Sequence, residues 1–380
     1  MKKIRRYIQS AIENALIPGK AVILLGARRV GKTTILKDII ADKDQQHIVF
    51  YNCDDPDIRS RFENIGLNAL KRLFASSDTI IFDEAQRIKN IGLILKMIVD
   101  EMPEKRLLTS GSSSFELSNS INEPLTGRKT TFTLYPLSVL ELHEHEHHDS
   151  IATTSYRNDM LRFGSYPDLF ALSDPAEKES YLLELASDYL YKDALEYQDI
   201  RNPEQLRKLL IALALQIGQE VSYTELGQLS GLDQKTVVRY CDLLEKSFVI
   251  FRLPALGRNP RTEIAKSRKI YFYDIGIRNA LIKNFNPYDL RGDRGEAWEC
   301  FIVSERMKKD IYTSQRKNYY FWRTYAQKEI DLIEEYQGTL SGFEIKWSPT
   351  AIAAKAAFLK SYPHSNIHLI HQDNFLDFVT

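Results

Sequence analysis

The chain has 380 residues, 43% of them hydrophobic and 27% charged, which is too long for one ordinary core and too apolar for a disordered chain. Its 51 Lys and Arg balance 51 Asp and Glu, so no global basic field draws it to nucleic acid, and any such binding must come from a local patch. Cys53, Cys241 and Cys300 stand far apart with no CxxC pair, which argues against a zinc site or a disulfide framework and fits a reducing, cytoplasmic setting.

The opening MKKIRRYIQSAIENAL is basic but lacks an apolar core of signal-peptide length. No stretch approaches about 18 uninterrupted apolar residues, so no membrane span is expected. An apolar run at 21–25 (AVILL) breaks into GARRVGKTT and then a helical pattern, Ile35, Leu36, Ile39 and Ile40. Further short runs follow at 47–52, at Thr79–Phe82, at Leu107–Thr109 and at Thr131–Leu134. Continuous apolar runs alternating with amphipathic stretches predict a buried parallel sheet covered by helices, an α/β unit over residues 1–145. The polar, His-rich 141–150 (ELHEHEHHDS) breaks the pattern and sets the first boundary.

Residues 146–200 read as a helical lid. Pro203 opens a helix that leads into TELGQLSG and KTVVRYCDLLEKS, two helices joined by a glycine turn, with FVIFRLPAL as a wing strand. This predicts a winged helix-turn-helix over 201–258. The last unit, 259–380, reads helix (RGEAWECFIVSERM), three strands (NYYFWRT, EIDLIEEY, GFEIKWS), helix (AIAAKAAFLKSY) and strand (IHLIH), a small α/β domain.

Gly26-Ala27-Arg28-Arg29-Val30-Gly31-Lys32-Thr33 matches G-x-x-x-x-G-K-[ST] between a buried strand and a helix. The glycines let backbone N–H groups curl around phosphates, and the helix N-terminus adds a favourable dipole. Lys32 reaches the β- and γ-phosphates, Thr33 offers its hydroxyl to Mg²⁺, and Thr34 completes the phosphate-holding set. The expected ligands are therefore ATP and Mg²⁺. Asp83 and Glu84 end an apolar strand about fifty residues on, at the edge where ligands of parallel sheets bind. Asp83 is expected to hold Mg²⁺ and Glu84 to polarise the attacking water. Ser110 or Ser112, at the next strand end, is a candidate γ-phosphate sensor, and Arg128 is a candidate arginine finger for a neighbouring copy, which implies a homo-oligomer.

Three further features carry chemistry. The second helix of the helix-turn-helix is nearly neutral, with Lys235, Arg239 and Lys246 against Asp233, Asp242 and Glu245. The basic run Arg258, Arg261, Lys266, Arg268 and Lys269 is the better candidate for phosphate backbone, with DNA as the expected partner. In the last unit Glu296, Asp331, Glu344 and Lys346 follow the order helix-Glu, strand-Asp, Glu-x-Lys. Such acids can hold a divalent metal, with Asp331 and Glu344 as ligands and Lys346 stabilising phosphate charge. His143, His145, His147 and His148 read as a solvated loop ahead of a metal site.

Several segments, GARRVGKTT, IIFDEAQ, TSGSSS, LTGRKTTFTLYPLSVLEL, FGSYPDLF, KSRKIYFYDIGIRNAL and RGEAWECFIVSE with EIDLI and FEIKW, resemble bacterial and archaeal AAA-type ATPases that carry a C-terminal domain of unknown function. The resemblance implies that Lys32, Thr33, Asp83 and Glu84 serve the ATPase and that Arg128 acts in trans. Members of that family usually read Thr-Gly-Ser-Ser where this chain has Ser110-Gly111-Ser112-Ser113. The C-terminal acids resemble the core of PD-(D/E)XK nucleases. Two readings stand: an ATPase acting on nucleic acid with a metal-dependent nuclease head, or a nucleotide-controlled switch whose C-terminal domain is a non-catalytic interaction module.

Overall fold

The computed structural model describes residues 3–41, 47–111, 125–196, 202–257, 268–324 and 326–380. They form two compact units, one from Arg5–Pro136 with Lys246–Phe248, the other from Leu137–Glu245 and Val249–Thr380 with the first four residues. The division falls at Pro136, ahead of the boundary expected near 145, and the lid, helix-turn-helix and C-terminal segments expected as three domains belong to one unit.

In the first unit the strands are β1 (Ala21–Gly26), β2 (Ile48–Asn52), β3 (Thr79–Asp83), β4 (Arg106–Gly111) and β5 (Lys129–Leu134), paired in parallel in the order β2-β3-β4-β1-β5. Each is one of the apolar runs. The helices are α1 (Gln9–Ala15), α2 (Lys32–Ala41), α3 (Pro56–Phe62), α4 (Leu67–Leu73) and α5 (Ile91–Glu101). β1 and β3 are buried along their whole length because central parallel strands are covered on both faces. α2 buries Ile35, Leu36, Ile39 and Ile40, the stripe its spacing predicts. Tyr51, Phe62, Phe74 and Phe82 pack around one another at centroid distances of 5.0–6.5 Å, which joins α3 and α4 to β2 and β3.

The second unit opens with α6 (Val139–His145), α7 (Ser150–Ser155), α8 (Arg157–Phe163) and α9 (Pro175–Glu196). Ser138 and Glu141 form a reciprocal capping box at α6, so the His-rich tract begins within a helix, which ends at His145 ahead of a turn that holds His147 and His148 at positive φ. Next come α10 (Pro203–Leu215), β6 (Glu220–Val221), α11 (Tyr223–Ser230), α12 (Gln234–Lys246), β7 (Ile250–Pro254) and β8 (Arg268–Phe272), with β6-β8-β7 an antiparallel sheet. Then follow α13 (Ile275–Leu281), α14 (Arg294–Tyr312), β9 (Asn318–Arg323), β10 (Glu329–Tyr336), β11 (Thr339–Ile345), α15 (Lys355–Ser361), β12 (Asn366–Ile370) and α16 (Phe375–Val379). The last sheet runs β12-β11-β10-β9, antiparallel except for β11 with β12.

The segments FGSYPDLF and YDIGIRNAL interlock. Asp274 caps α13 through the Ile277 N–H (3.1 Å) and accepts from the Ser165 N–H (2.7 Å). Asn279 donates to the carbonyls of Leu161 (3.1 Å) and Arg162 (2.9 Å). At Gly276 a Cβ would stand 2.0 Å from the Phe163 carbonyl oxygen, so only glycine lets the two backbones approach. Gly276→Ala should therefore lower the stability of this unit by about 1–3 kcal/mol, the usual cost of overpacking. A urea midpoint equal to wild type would refute this packing argument.

Candidate functional site

The carboxyl edge of the parallel sheet gathers the expected phosphate-site residues. Gly26 ends β1 where a Cβ would meet the Leu134 carbonyl oxygen at 2.2 Å, so the loop can leave the strand there only without a side chain. Arg29 and Gly31 adopt positive φ (59° and 95°), and the chain enters α2 at Lys32. Lys32 is buried; its amine donates to the carbonyls of Gly26 (3.1 Å) and Ala27 (3.0 Å) and lies 3.4 Å from Glu84 Oε1. Thr33 donates from Oγ1 to Asp83 Oδ2 at 2.7 Å, which ties the loop to the end of β3. Thr34 is exposed on the first turn of α2, and Arg28 contributes positive charge near Glu84.

Glu84 holds a left-handed conformation (φ 52°), rare for a residue with a side chain and typical of positions over-determined by their surroundings. Its N–H donates to Ser110 Oγ at 3.0 Å, and the Ser110 hydroxyl donates to Asp83 Oδ1. Ser110 is fully buried, with its one proton directed at Asp83. Here it is a clasp for the acid pair. Ser112 lies outside the described residues. Gln86, which the motif reading passed over, donates to Glu84 Oε2 at 2.6 Å. Burial disfavours the Glu84 carboxylate, but Lys32, Gln86 and Arg28 outweigh it and hold the group below the ordinary value.

Arg128 does not join this group. Its carbonyl accepts from the N–H of Ala21 (2.9 Å), at the amino end of β1, whereas the phosphate loop leaves the carboxyl end. Its guanidinium pairs with Asp100 on α5 at 2.8 Å. It cannot serve the phosphate loop of its own chain.

The second unit has a cavity of about 530 Å³ lined by Glu220, Glu296, Glu299, Glu329, Asp331 and Lys346, among others. Of the expected residues, Glu296, Asp331 and Lys346 line it, whereas Glu344 does not. Glu296 only lines the cavity, and the buried α14 acid that lines it is Glu299, one turn on. Lys269, expected to touch a phosphate backbone, is 1% exposed. Its amine pairs with Glu299 (2.9 Å) and Glu329, and lies 3.9 Å from Asp331. Lys346 pairs with Asp331 (3.1 Å) and Glu344 (3.0 Å), and Tyr271 donates to Glu299 at 2.6 Å. Burial pushes the Glu299 carboxyl up to about 7 against the pull of Lys269. Burial and the charge of Asp331 raise Glu344, and Asp331 and Glu344 raise Lys346 against its desolvation.

These acids do not fit a metal centre, because two ammonium groups already stand between them. Among the described residues no three His, Cys, Asp or Glu side chains group as metal ligands would. Asp331 and Glu344, expected as a metal pair, instead share the Lys346 ammonium. His143 instead bonds Thr153 Oγ1 at 3.0 Å. Of the basic run, Arg258, Arg261 and Lys266 lie outside the described residues.

Residues 18–143 match the family model described as AAA domain. This segment is an AAA-type domain. Beyond the AAA domain, residues 154–288 and 294–372 match two models each described as a domain of unknown function, DUF8612 and DUF4143. Relatives include an uncharacterized protein of Mycobacterium tuberculosis, 28% identical over 354 residues, spanning 91% of this chain and 74% of its own length. Another, from Methanocaldococcus jannaschii, is 25% identical over 343 residues, with shares of 83% and 74%. Similar solved structures include a STAND ATPase with a tetratricopeptide repeat sensor from Pyrococcus horikoshii (13% identity, TM-score 0.29, 82% of this chain and 47% of that one). AMPPCP-bound DnaA from Aquifex aeolicus gives 14% identity and a TM-score of 0.28, over 63% and 85%. Among the described residues no helix is long and apolar enough to cross a membrane.

Proposed function

We propose that the chain hydrolyses ATP with Mg²⁺ at the AAA domain and that its second unit is a non-catalytic module under nucleotide control. The bond from Thr33 to Asp83 carries the first half of this reading. It sets two hard oxygen donors side by side, next to Lys32 and Glu84, which is the donor chemistry Mg²⁺ prefers. When bound there, the ion would neutralise charge on the phosphate oxygens. Lys32 supplies a positive charge to the polyphosphate, and Glu84 orients the attacking water and accepts its proton. An amine drawn toward phosphate leaves Glu84 with one counter-charge fewer, and its basicity rises when a base is needed.

Lys269 favours the second half. A nuclease head needs its carboxylates open to a divalent cation, and here Glu299 and Glu329 pair with Lys269 while Asp331 and Glu344 pair with Lys346. Duplex DNA is the partner we propose for the α10–β8 segment, whose order of elements is that of a winged helix. Lys235 and Arg239 lie exposed on α12, while Arg252 engages the same helix's acids, Asp242 (2.7 Å) and Glu245.

Lys32→Ala should weaken ATP binding about 10–100-fold, the worth of lost charge-assisted hydrogen bonds, as read by equilibrium titration with Mg²⁺. ATP binding equal to wild type in that variant would remove the phosphate-site assignment. Any role for Arg128 is confined to a neighbouring copy. In that case mixing Arg128→Ala with Lys32→Ala should restore turnover that each lacks alone, and duplex DNA at low salt should stimulate the wild type.

A further inference from the structure

A residue outside every motif holds the phosphate loop from behind. Arg6 is 8% exposed. Its Nη1 donates to the Val30 carbonyl at 2.5 Å and its Nη2 to the Tyr135 carbonyl at 2.6 Å. Val30 is in the loop itself. Tyr135 directly follows β5, whose last carbonyl, that of Leu134, backs Gly26. One rigid, planar guanidinium thus spans two carbonyls that belong to different parts of the unit, which a single ammonium cannot do in the same geometry. A cation this deeply buried is retained only where its donors are satisfied.

The consequence follows from the peptide bond. The Val30 carbonyl and the Gly31 N–H share one planar, trans peptide, so they point to opposite sides of the chain. Fixing the carbonyl on Arg6 fixes the N–H on the other side. Positive φ at Arg29 and Gly31 bounds this peptide, and the guanidinium lies close enough that a Cβ at Gly31 would be 3.6 Å from its Nη1. Backbone N–H groups are what a phosphate loop offers its ligand, and an N–H already oriented costs no reorganisation on binding.

We propose that Arg6 is a positioning residue for nucleotide binding: it pins the Val30–Gly31 peptide with the Gly31 N–H directed to the phosphate-holding side of the loop. The proposal rests on the ATP reading above and concerns the polyphosphate, so ATP and GTP lose affinity by the same factor when the brace is removed.

The test uses the full chain as wild type, Arg6→Met and Arg6→Lys. Without nucleotide, amide exchange of the peptide covering residues 26–32 should quicken at least about tenfold in Arg6→Met. With Mg²⁺, its ATP Kd should rise about tenfold while kcat at saturating ATP stays within about twofold. Arg6→Lys, which keeps the charge and loses the fork, should behave like Arg6→Met and serves in its place if that variant does not fold. Unchanged loop exchange overturns the brace whether or not ATP binds. Faster exchange with an unchanged Kd, or a fall in kcat at constant Kd, overturns its role in binding. Wild-type protein that binds no ATP at all removes the ATP reading itself, a result distinct from either of these.

Discussion

Glu84→Gln should bind ATP within about threefold of wild type and turn it over about 10²–10⁴ times more slowly, the usual loss when an oriented general base is removed. The amide keeps the shape of the carboxyl group, so the bond from Gln86 and the Ser110 clasp on the backbone of residue 84 survive. What is lost is the charge that accepts a proton. Because Lys32, Gln86 and Arg28 hold the Glu84 carboxyl below its ordinary value despite burial, it is ionised at neutral pH. The acid limb of kcat/KM should accordingly fall below the range of an ordinary glutamate. Single-turnover hydrolysis beside equilibrium binding makes the comparison; wild-type turnover in Glu84→Gln, or loss of binding equal to that of Lys32→Ala, would sink the assignment.

The parallel sheet and the phosphate site are legible in the chain because both are local patterns. Five apolar runs became β1 to β5, and G-x-x-x-x-G-K-T sits between a strand and a helix as its chemistry demands. The clasp made by Ser110 is not legible in the sequence because its company, not its residue type, makes it: 26 and 27 residues separate it from the atoms it clasps. Arg6 is 24 residues from Val30 and 129 from Tyr135, and no periodicity predicts such a bridge. Lys269 stands in the basic run expected to touch phosphate backbone, although one signal of its buried role is present. In a strand, residues two apart share a face, and Lys269 and Tyr271 both reach Glu299 from β8. Glu296 and Glu299 are one turn apart on α14, so helical spacing does not by itself choose between them; burial of the neighbouring Ala297, Trp298 and Cys300 does not single out either one.

Lys269→Met should destabilise the second unit by about 3–5 kcal/mol, the cost of breaking a buried ion pair from one side. Methionine roughly fills the space of the lysine stem but leaves Glu299, Glu329 and the Phe321 ring without their shared ammonium. The sign of the pH dependence follows from Glu299. Its carboxyl rises from 4.5 to about 7 in the fold, so between those values the native state binds more protons than the unfolded chain, and this group's contribution to stability falls as pH rises. Lys269 is the largest influence opposing that rise, and removing it moves the carboxyl higher still. The deficit of the variant should therefore stay level from pH 5 to about pH 7 and grow above it. Divalent metal gives the opposite test. Wild type, with an ammonium among these acids, should show no thermal shift in millimolar Mn²⁺. Lys269→Met, with the carboxylates bared, should recover stability as Mn²⁺ is added, because a cation that binds only the folded state stabilises it by mass action. A wild-type shift in Mn²⁺ as large as that of the variant would return the metal-dependent nuclease reading. A pH-independent deficit would show that Lys269 acts through packing and not through the charge of Glu299.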